Sequence, residues 1–242
     1  MPYAQIDDGI QLYYELTGPE DAPVILQFGG GLFGRYNFGL VNDGFREKFR
    51  LLSFDARGYG ASSSPREAYT IEGWADDGAA LLDAVGLERA LIHGTSMGGM
   101  IAIVFAGKYP ERTRSVVINC AAAKLGPSGR LIFKNWIDIA RLDPDGPGSR
   151  VLAELITWQA LSRRFLAEQD AVALADRIQE ILRDSNRIEV FTAACEAMCD
   201  MDIRDWLPRI TSPALVLGGD EDVMTEANRI RTAFGLKPLR DN

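Results

Sequence analysis

Short apolar runs and helical patterns alternate along most of the chain. Apolar runs bounded by polar residues or glycine predict buried strands, and alternation of apolar and polar residues predicts a half-buried strand. The alternating segment is 10–16, and the apolar runs are 24–28, 51–54, 90–92, 116–118 and 214–217. Apolar residues at helical spacing occupy 71–85 and 100–106. Such repeated strand–helix units predict an α/β fold with a mostly parallel sheet and helices on both faces.

Between residues 123 and 205 the pattern is helical almost throughout. The predicted helices are 130–141, 150–159, 170–183 and 187–199. A wholly helical insert between two strands is expected to form a lid over the carboxyl ends of the sheet. The predicted organisation is therefore a core of residues 1–123 and 206–242 and a helical cap of residues 124–205.

The composition suits one globular domain, because 47% of the 242 residues are hydrophobic and 25% are charged. No apolar run approaches the ~20 residues of a membrane span, and residues 1–12 lack the pattern of a signal peptide. The net charge of −8 without any basic run argues against nucleic acid as a partner. We therefore expect a cytoplasmic protein that binds neither membranes nor nucleic acid.

The three cysteines, Cys120, Cys195 and Cys199, are too few for a disulfide framework. Cys195 and Cys199 are spaced i, i+4 on a predicted helix, so the alternatives are metal ligation and simple burial. Burial is preferred because no histidine or further cysteine accompanies them. No metal and no other cofactor is predicted.

The segment Gly94-Thr95-Ser96-Met97-Gly98 carries the most chemical information. It has the Gly-x-Ser-x-Gly pattern and lies between a predicted strand and a predicted helix, which is the context of a nucleophile elbow. The two glycines permit a strained turn and a close approach of strand to helix. We predict that Ser96 is a nucleophile raised out of the sheet; the alternative is a chance motif in a glycine-rich loop.

Three further segments accompany this motif: Phe28-Gly29-Gly30-Gly31, residues 55–62 and Gly219-Asp220-Glu221-Asp222. In order and spacing the four resemble the α/β-hydrolases, in the capped esterase and lactonase branch that includes 3-oxoadipate enol-lactonases, over about residues 3–234. The resemblance implies an α/β-hydrolase fold with a helical lid inserted before the penultimate strand. That family usually has a histidine where this sequence has Phe28. Because the histidine is structural in the family, the difference affects the geometry of the loop and not the chemistry.

The resemblance also implies an oxyanion hole beside Ser96. Its donors in this fold are the N–H of the residue after the nucleophile, here Met97, and an N–H of the loop after the third strand. The second donor maps to Gly30, with Gly31 as the near alternative. An ordinary flexible turn is the other interpretation of these consecutive glycines.

Asp222 is the expected triad acid, because it follows an apolar strand at the spacing that the family uses. Asp220 and Glu221 remain competitors, since three consecutive acidic residues would also make a solvated turn. Arg57 in the 55–62 motif is expected to tie down its loop by hydrogen bonds, and direct substrate contact is the alternative.

A histidine base is not found where the family places one, after the acid. Beyond Asp222 the sequence has a helical pattern at 226–234 and no histidine, and the strand, loop and helix that resembling proteins place next are missing. Loss of that strand would leave an uncovered apolar edge at 214–217, so truncation of a longer chain is expected.

The single histidine of the chain, His93, precedes Ser96 by three residues on the predicted strand. Its side chain is expected to point into a helix-covered face, so a packed histidine is preferred to a catalytic base. Lys237 near the end of the sequence would stay solvated and protonated, which disfavours it as a base.

The predicted function is cofactor-free hydrolysis of a small carboxylic ester or lactone through an acyl-enzyme on Ser96, impaired by the absent histidine. The alternatives are a catalytically inactive ligand-binding protein of the same fold and a haloperoxidase-like activity. Serine at the elbow argues against dehalogenase and epoxide hydrolase chemistry, which resembling proteins perform with aspartate there. The oligomeric state is open, with a homodimer as one option.

The helical insert offers aromatic and aliphatic side chains that either line an acyl pocket or pack the helices together. Gly31, Trp136 and Trp158 are the pocket candidates, and further residues of the same kind are Phe133, Ile137, Leu161 and Phe191.

Overall fold

The computed structural model describes residues 2–7, 9–31, 34–65, 69–143, 145–185, 187–219 and 222. Within this part the strands are β1 Tyr3–Asp7, β2 Ile10–Thr17, β3 Val24–Phe28, β4 Arg50–Phe54, β5 Ala90–Thr95, β6 Thr113–Asn119 and β7 Ala214–Leu217. They form one sheet in the order β1-β2-β4-β3-β5-β6-β7. The pairs that involve β2 are antiparallel and the others are parallel. The predicted mostly parallel sheet is confirmed.

β1 was not predicted, because its alternation is short: only Ala4 of its five residues is buried, and Ile6 is partly buried. It joins the sheet by pairing antiparallel with β2, from Tyr3 opposite Tyr13 to Asp7 opposite Ile10. Backbone pairing with β2 and the contacts of Ala4 and Ile6 with the core together hold this edge strand.

The helices of the described part are α1 Gly39–Phe45, α2 Ile71–Ala84, α3 Met97–Lys108, α4 Pro127–Leu142, α5 Arg150–Ala160, α6 Arg163–Ala167, α7 Ala171–Ser185 and α8 Ile188–Asp200. None of them is both long and apolar enough to cross a lipid bilayer. Thr70, Ser149 and Ser162 cap α2, α5 and α6 by accepting a hydrogen bond from a first-turn N–H.

The sheet is covered on both faces, as predicted. On one face α2 and α3 pack together, and Phe28 of β3 contacts Phe105 of α3 with ring centroids 5.6 Å apart. α3 is buried from Met97 to Gly107, which makes it the central helix of the core. On the other face His93 of β5 contacts Phe45 of α1.

α4 to α8 lie between β6 and β7 in the chain. α4 packs against α8 and α5 packs against α7, so these helices form a layer of their own. The core of this layer includes Trp136, Ile156 and Phe191, all nearly inaccessible to solvent. Only α6 was not predicted, since it has five residues and its signal is a single serine cap.

Candidate active site

Ser96 lies on a sharp turn between β5 and α3. Its backbone has φ 55° and ψ −121°, a conformation that costs a residue with a side chain about 1–3 kcal/mol. The turn is held by the Ser96 N–H, which donates to Asn119 O at 2.9 Å, and by the Ser96 C=O, which accepts from Gly99 and Met100 at 2.9 and 3.1 Å. The surrounding structure therefore maintains the strain.

Glycines make this turn sterically feasible. A Cβ on Gly94 would overlap the carbonyl of Gly98, and a Cβ on Gly98 would overlap the carbonyl oxygen of Phe28. The beginning of α3 thus packs directly on the backbone at the end of β3. The Gly-x-Ser-x-Gly spacing serves this close approach, and Ser96 itself stays half-buried rather than enclosed.

Ser96 opens into a cavity of about 510 Å³. The cavity floor consists of residues from the strand ends and the loops that follow them: Gly30, Gly31, Asn37, Thr95, Ser96, Cys120, Gly219 and Asp222. The cavity wall comes from the helices inserted between β6 and β7: Phe133, Trp136, Gln159, Ala160, Leu161, Ser162, Arg164 and Met198. The wall therefore brings apolar side chains to the same cavity as Ser96.

The two glycines expected near an oxyanion hole both lie in the cavity floor. A Cβ on Gly31 would be 3.0 Å from the Met97 sulfur, and a Cβ on Gly30 would be 3.5 Å from Ser96 Cβ. The Gly30 N–H donates to Asn37 Oδ1 at 2.9 Å. In the described part of the chain, the Met97 and Gly31 N–H groups have no such acceptor.

Asp222 reaches the cavity floor beside Cys120. Its N–H donates to Gly219 O at 3.3 Å, which turns the chain back after β7. Burial raises the pKa of the Cys120 thiol, and the nearby Asp222 carboxylate raises it further. The competing acids Asp220 and Glu221 lie outside the described residues, as do the 226–234 segment and Lys237.

His93 is not part of the cavity lining. Its ring packs against Phe38 at 4.7 Å and Phe45 at 6.2 Å between ring centroids. Burial lowers the pKa of His93, so the ring is held neutral among aromatic side chains.

Trp136 joins the cavity wall and Trp158 does not. Trp136 is 1% exposed and its Nε1 donates to Gln159 Oε1 at 2.6 Å. Trp158 is 60% exposed, because the buried face of α5 runs through Leu152, Ala153 and Ile156 and leaves Trp158 on the solvent side. The interpretation of Trp158 as a pocket residue was therefore wrong.

The other candidates of the helical insert divide in the same way. Phe133 and Leu161 line the cavity, whereas Ile137 and Phe191 are buried between helices and do not reach it. Cys195 is fully buried, and this burial raises the pKa of its thiol.

The 55–62 motif serves the architecture of the loop after β4. Arg57 forms a two-point ion pair with Asp77 of α2, and its carbonyl accepts from Trp74 Nε1 at 3.1 Å. Asp55 is buried, pairs with Arg35 and accepts from the Ala61 N–H at 3.0 Å. The desolvation of the buried Asp77 carboxyl raises its pKa despite the Arg57 guanidinium.

Comparison with known proteins identifies the fold family. The alpha/beta hydrolase fold family matches residues 22–232. The chain belongs to this family. The crystal structure of the enol-lactonase from Burkholderia xenovorans superposes on this alpha/beta hydrolase with a TM-score of 0.84 at 27% identity, over 98% of this chain and 89% of that one.

Two relatives of known sequence extend the comparison. A 3-oxoadipate enol-lactonase from Acinetobacter baylyi is 30% identical over 181 residues, which is 75% of this chain and 64% of that protein. The match thus spans less than two thirds of that relative. A serine hydrolase from Homo sapiens is 27% identical over 219 residues, which is 89% of this chain and 68% of that protein. Both of these relatives of the alpha/beta hydrolase are named for hydrolytic activities.

Several polar residues of the cavity escaped the sequence analysis: Asn37, Gln159, Ser162 and Arg164. Ser162 had a usable signal, since a serine directly before the first residue of a helix often caps it. Asn37 had no signal in the sequence. Its place in the cavity of this alpha/beta hydrolase depends on the packing of the 3-10 helix Gly34–Phe38 against β3, which no local pattern indicates.

Proposed function

We propose that this alpha/beta hydrolase cleaves a small carboxylic ester or lactone through an acyl-enzyme on Ser96. The observation that carries the proposal is the position of Ser96: a half-buried hydroxyl on a strained turn at the edge of a cavity of about 510 Å³. The enol-lactonase and serine hydrolase names of the relatives support the same reaction class.

In the proposed reaction Ser96 Oγ loses its proton to a base and bonds to the carbonyl carbon of the substrate. The carbon–oxygen bond to the leaving alcohol then breaks, and that oxygen takes up a proton. Water subsequently cleaves the acyl-enzyme and releases the acid. For a lactone, the alcohol and acid are two ends of one product.

Amide hydrogens beside Ser96 would stabilise the oxyanion that forms at the carbonyl oxygen. We assign this role to the Met97 N–H together with the Gly30–Gly31 part of the loop after β3. Asp222 serves as the acid of the triad, because it lies in the same cavity floor as Ser96. Residues 124–205 act as the cap, whose apolar wall favours an apolar group on the substrate.

The residues that line the cavity in the described part of the chain include no histidine to act as the base of the proposed triad. The 242 residues contain one histidine, His93, and it packs against Phe38 away from the cavity. We therefore propose slow turnover, since triad loss in serine hydrolases leaves only ~10³–10⁴-fold acceleration over water.

Labelling with a fluorophosphonate and hydrolysis of p-nitrophenyl acetate test the proposal. We expect wild-type protein to react at Ser96 slowly, and to react faster when imidazole is added as an external base. Ser96→Ala should show neither effect, and it measures the background hydrolysis by imidazole itself. A wild-type rate equal to that of Ser96→Ala, with and without imidazole, would refute the serine mechanism.

The competing function is non-catalytic ligand binding in the same cavity, and the packed position of His93 favours it. The two functions differ in one result. A ligand-binding protein would bind esters without any Ser96-dependent reaction even when imidazole is present, whereas a hydrolase that lacks only its base would respond to imidazole.

A further inference from the structure

Asn37 lies on the short 3-10 helix Gly34–Phe38 and reaches back to the loop after β3. The Gly30 N–H donates to its side chain at 2.9 Å. A backbone N–H can only donate, so the accepting atom must be the amide oxygen, and this identifies Nδ2 as the other end of the side chain. The orientation of the Asn37 amide is therefore determined by Gly30.

The Asn37 side chain belongs to a residue of the cavity lining. Asn37 is half-buried and lines the cavity floor together with Ser96. Within the described ranges, no protein acceptor pairs with Asn37 Nδ2. Two donor hydrogens thus have no protein acceptor in the described part of the chain, so a ligand or solvent in the cavity can accept them.

Asn37 and Ser96 both lie close to Gly30. Asn37 Cγ and Ser96 Cβ are each 3.5 Å from the point that a Cβ on Gly30 would occupy. That same point is 2.5 Å from Asn37 Oδ1, so only glycine at position 30 leaves room for the hydrogen bond. The glycine brings the amide and the nucleophile close to each other.

The hydrogen bond also changes what Gly30 can do. A backbone N–H has a single hydrogen, and in Gly30 this hydrogen is directed to Asn37 Oδ1. A substrate oxyanion could use Gly30 only by displacing the amide oxygen. The Met97 and Gly31 N–H groups have no competing acceptor among the residues described, so two backbone donors remain in place.

We propose that Asn37 is a substrate-contacting residue whose Nδ2 group donates a hydrogen bond to the substrate carbonyl oxygen as negative charge develops on it. Gly30 then positions Asn37 instead of contacting the substrate itself. The inference rests on the proposed hydrolysis at Ser96 and assigns part of its oxyanion hole to a side chain.

The test compares Asn37→Asp and Asn37→Leu by the Ser96-dependent hydrolysis of p-nitrophenyl acetate, measured with imidazole present. Aspartate keeps an oxygen for the Gly30 N–H but loses the donor, and leucine loses both while keeping the shape. We expect kcat to fall ~10²-fold or more in both variants, the loss typical of one oxyanion donor, with KM nearly unchanged.

Asn135→Asp is the matched control, because Asn135 is exposed on α4 outside the cavity lining. It should keep the wild-type kcat. If Asn37→Asp also keeps it, Asn37 only anchors the loop and the inference is overturned while Ser96 chemistry stands. A wild-type protein no faster than Ser96→Ala would instead overturn the proposed function, and this inference with it.

Discussion

The cavity floor and the cavity wall of this protein are built by different means. The floor is made of strand ends and tight turns, where backbone atoms approach so closely that a Cβ on Gly94 or Gly98 would overlap main chain. The wall consists of helix side chains, in which Trp136 packs edge-on against Phe133 with ring centroids 5.0 Å apart. Backbone geometry forms the floor, and side-chain packing forms the wall.

This difference explains how each part tolerates change. A substitution in the floor meets main chain that cannot move without shifting a strand or a helix. A substitution in the wall meets side chains that can repack, so its effect depends on whether the residue faces inward. The three predictions that follow test this contrast, from the largest expected effect to the smallest.

Gly98→Ala should cause a large loss of stability. Its Cβ would overlap the carbonyl oxygen of Phe28, so α3 must move away from the end of β3. We expect the free energy of unfolding to fall by ~3 kcal/mol or more, measured by chemical denaturation.

Gly44→Ala is the control for the same chemical change in a helix. Gly44 is exposed in α1, and a Cβ there has nothing within 4 Å. It should stabilise the protein by about 0.5–1 kcal/mol through helix propensity. Similar effects of the two substitutions would show that the backbone contact at Gly98 is not rigid.

Trp136→Ala and Trp158→Ala compare the two tryptophans that sequence analysis could not distinguish. Trp136 is 1% exposed and bonded to Gln159, so its truncation should lower the free energy of unfolding by ~3–5 kcal/mol. Trp158 is 60% exposed, and its truncation should change stability by less than ~0.5 kcal/mol. Thermal denaturation of the two variants would measure the difference, and equal losses would contradict the observed orientation of α5.

The reactivity of Cys120 tests the electrostatics of the floor. Burial and the Asp222 carboxylate both raise the pKa of this thiol, because each disfavours the negatively charged thiolate. Alkylation by iodoacetamide should therefore be slow at neutral pH and accelerate as the pH rises. Asp222→Asn removes the negative charge of the carboxylate and therefore lowers the pKa of the Cys120 thiol. It should accelerate alkylation of Cys120 at pH 8 by up to about tenfold.

Two further variants complete that measurement. Cys120→Ser identifies which signal belongs to this thiol. Asp138→Asn removes an exposed carboxylate from α4 and should leave the rate unchanged. An alkylation rate that Asp222→Asn leaves unaltered would mean that this carboxylate does not face Cys120.

The sequence predicted much of the fold and part of the site. The elbow at Ser96 was predictable because its glycines impose local backbone geometry, and the strands Val24–Phe28 and Ala214–Leu217 were predictable from short apolar runs. β1, α1 and α6 were missed because each has at most seven residues, too few for a clear apolar period. Asn37 was missed because nothing near it in sequence indicates the bond to Gly30.

The sequence by itself determined the α/β order of elements and the strained turn that carries Ser96, because both depend on neighbouring residues. Only the tertiary structure decided which side chains meet that serine. The rotation of α4 and α5 about their axes places Trp136 rather than Trp158 in the cavity lining. Asn37 meets Gly30 because the 3-10 helix Gly34–Phe38 packs against β3. Such contacts depend on the relative placement of whole elements, which local patterns do not specify.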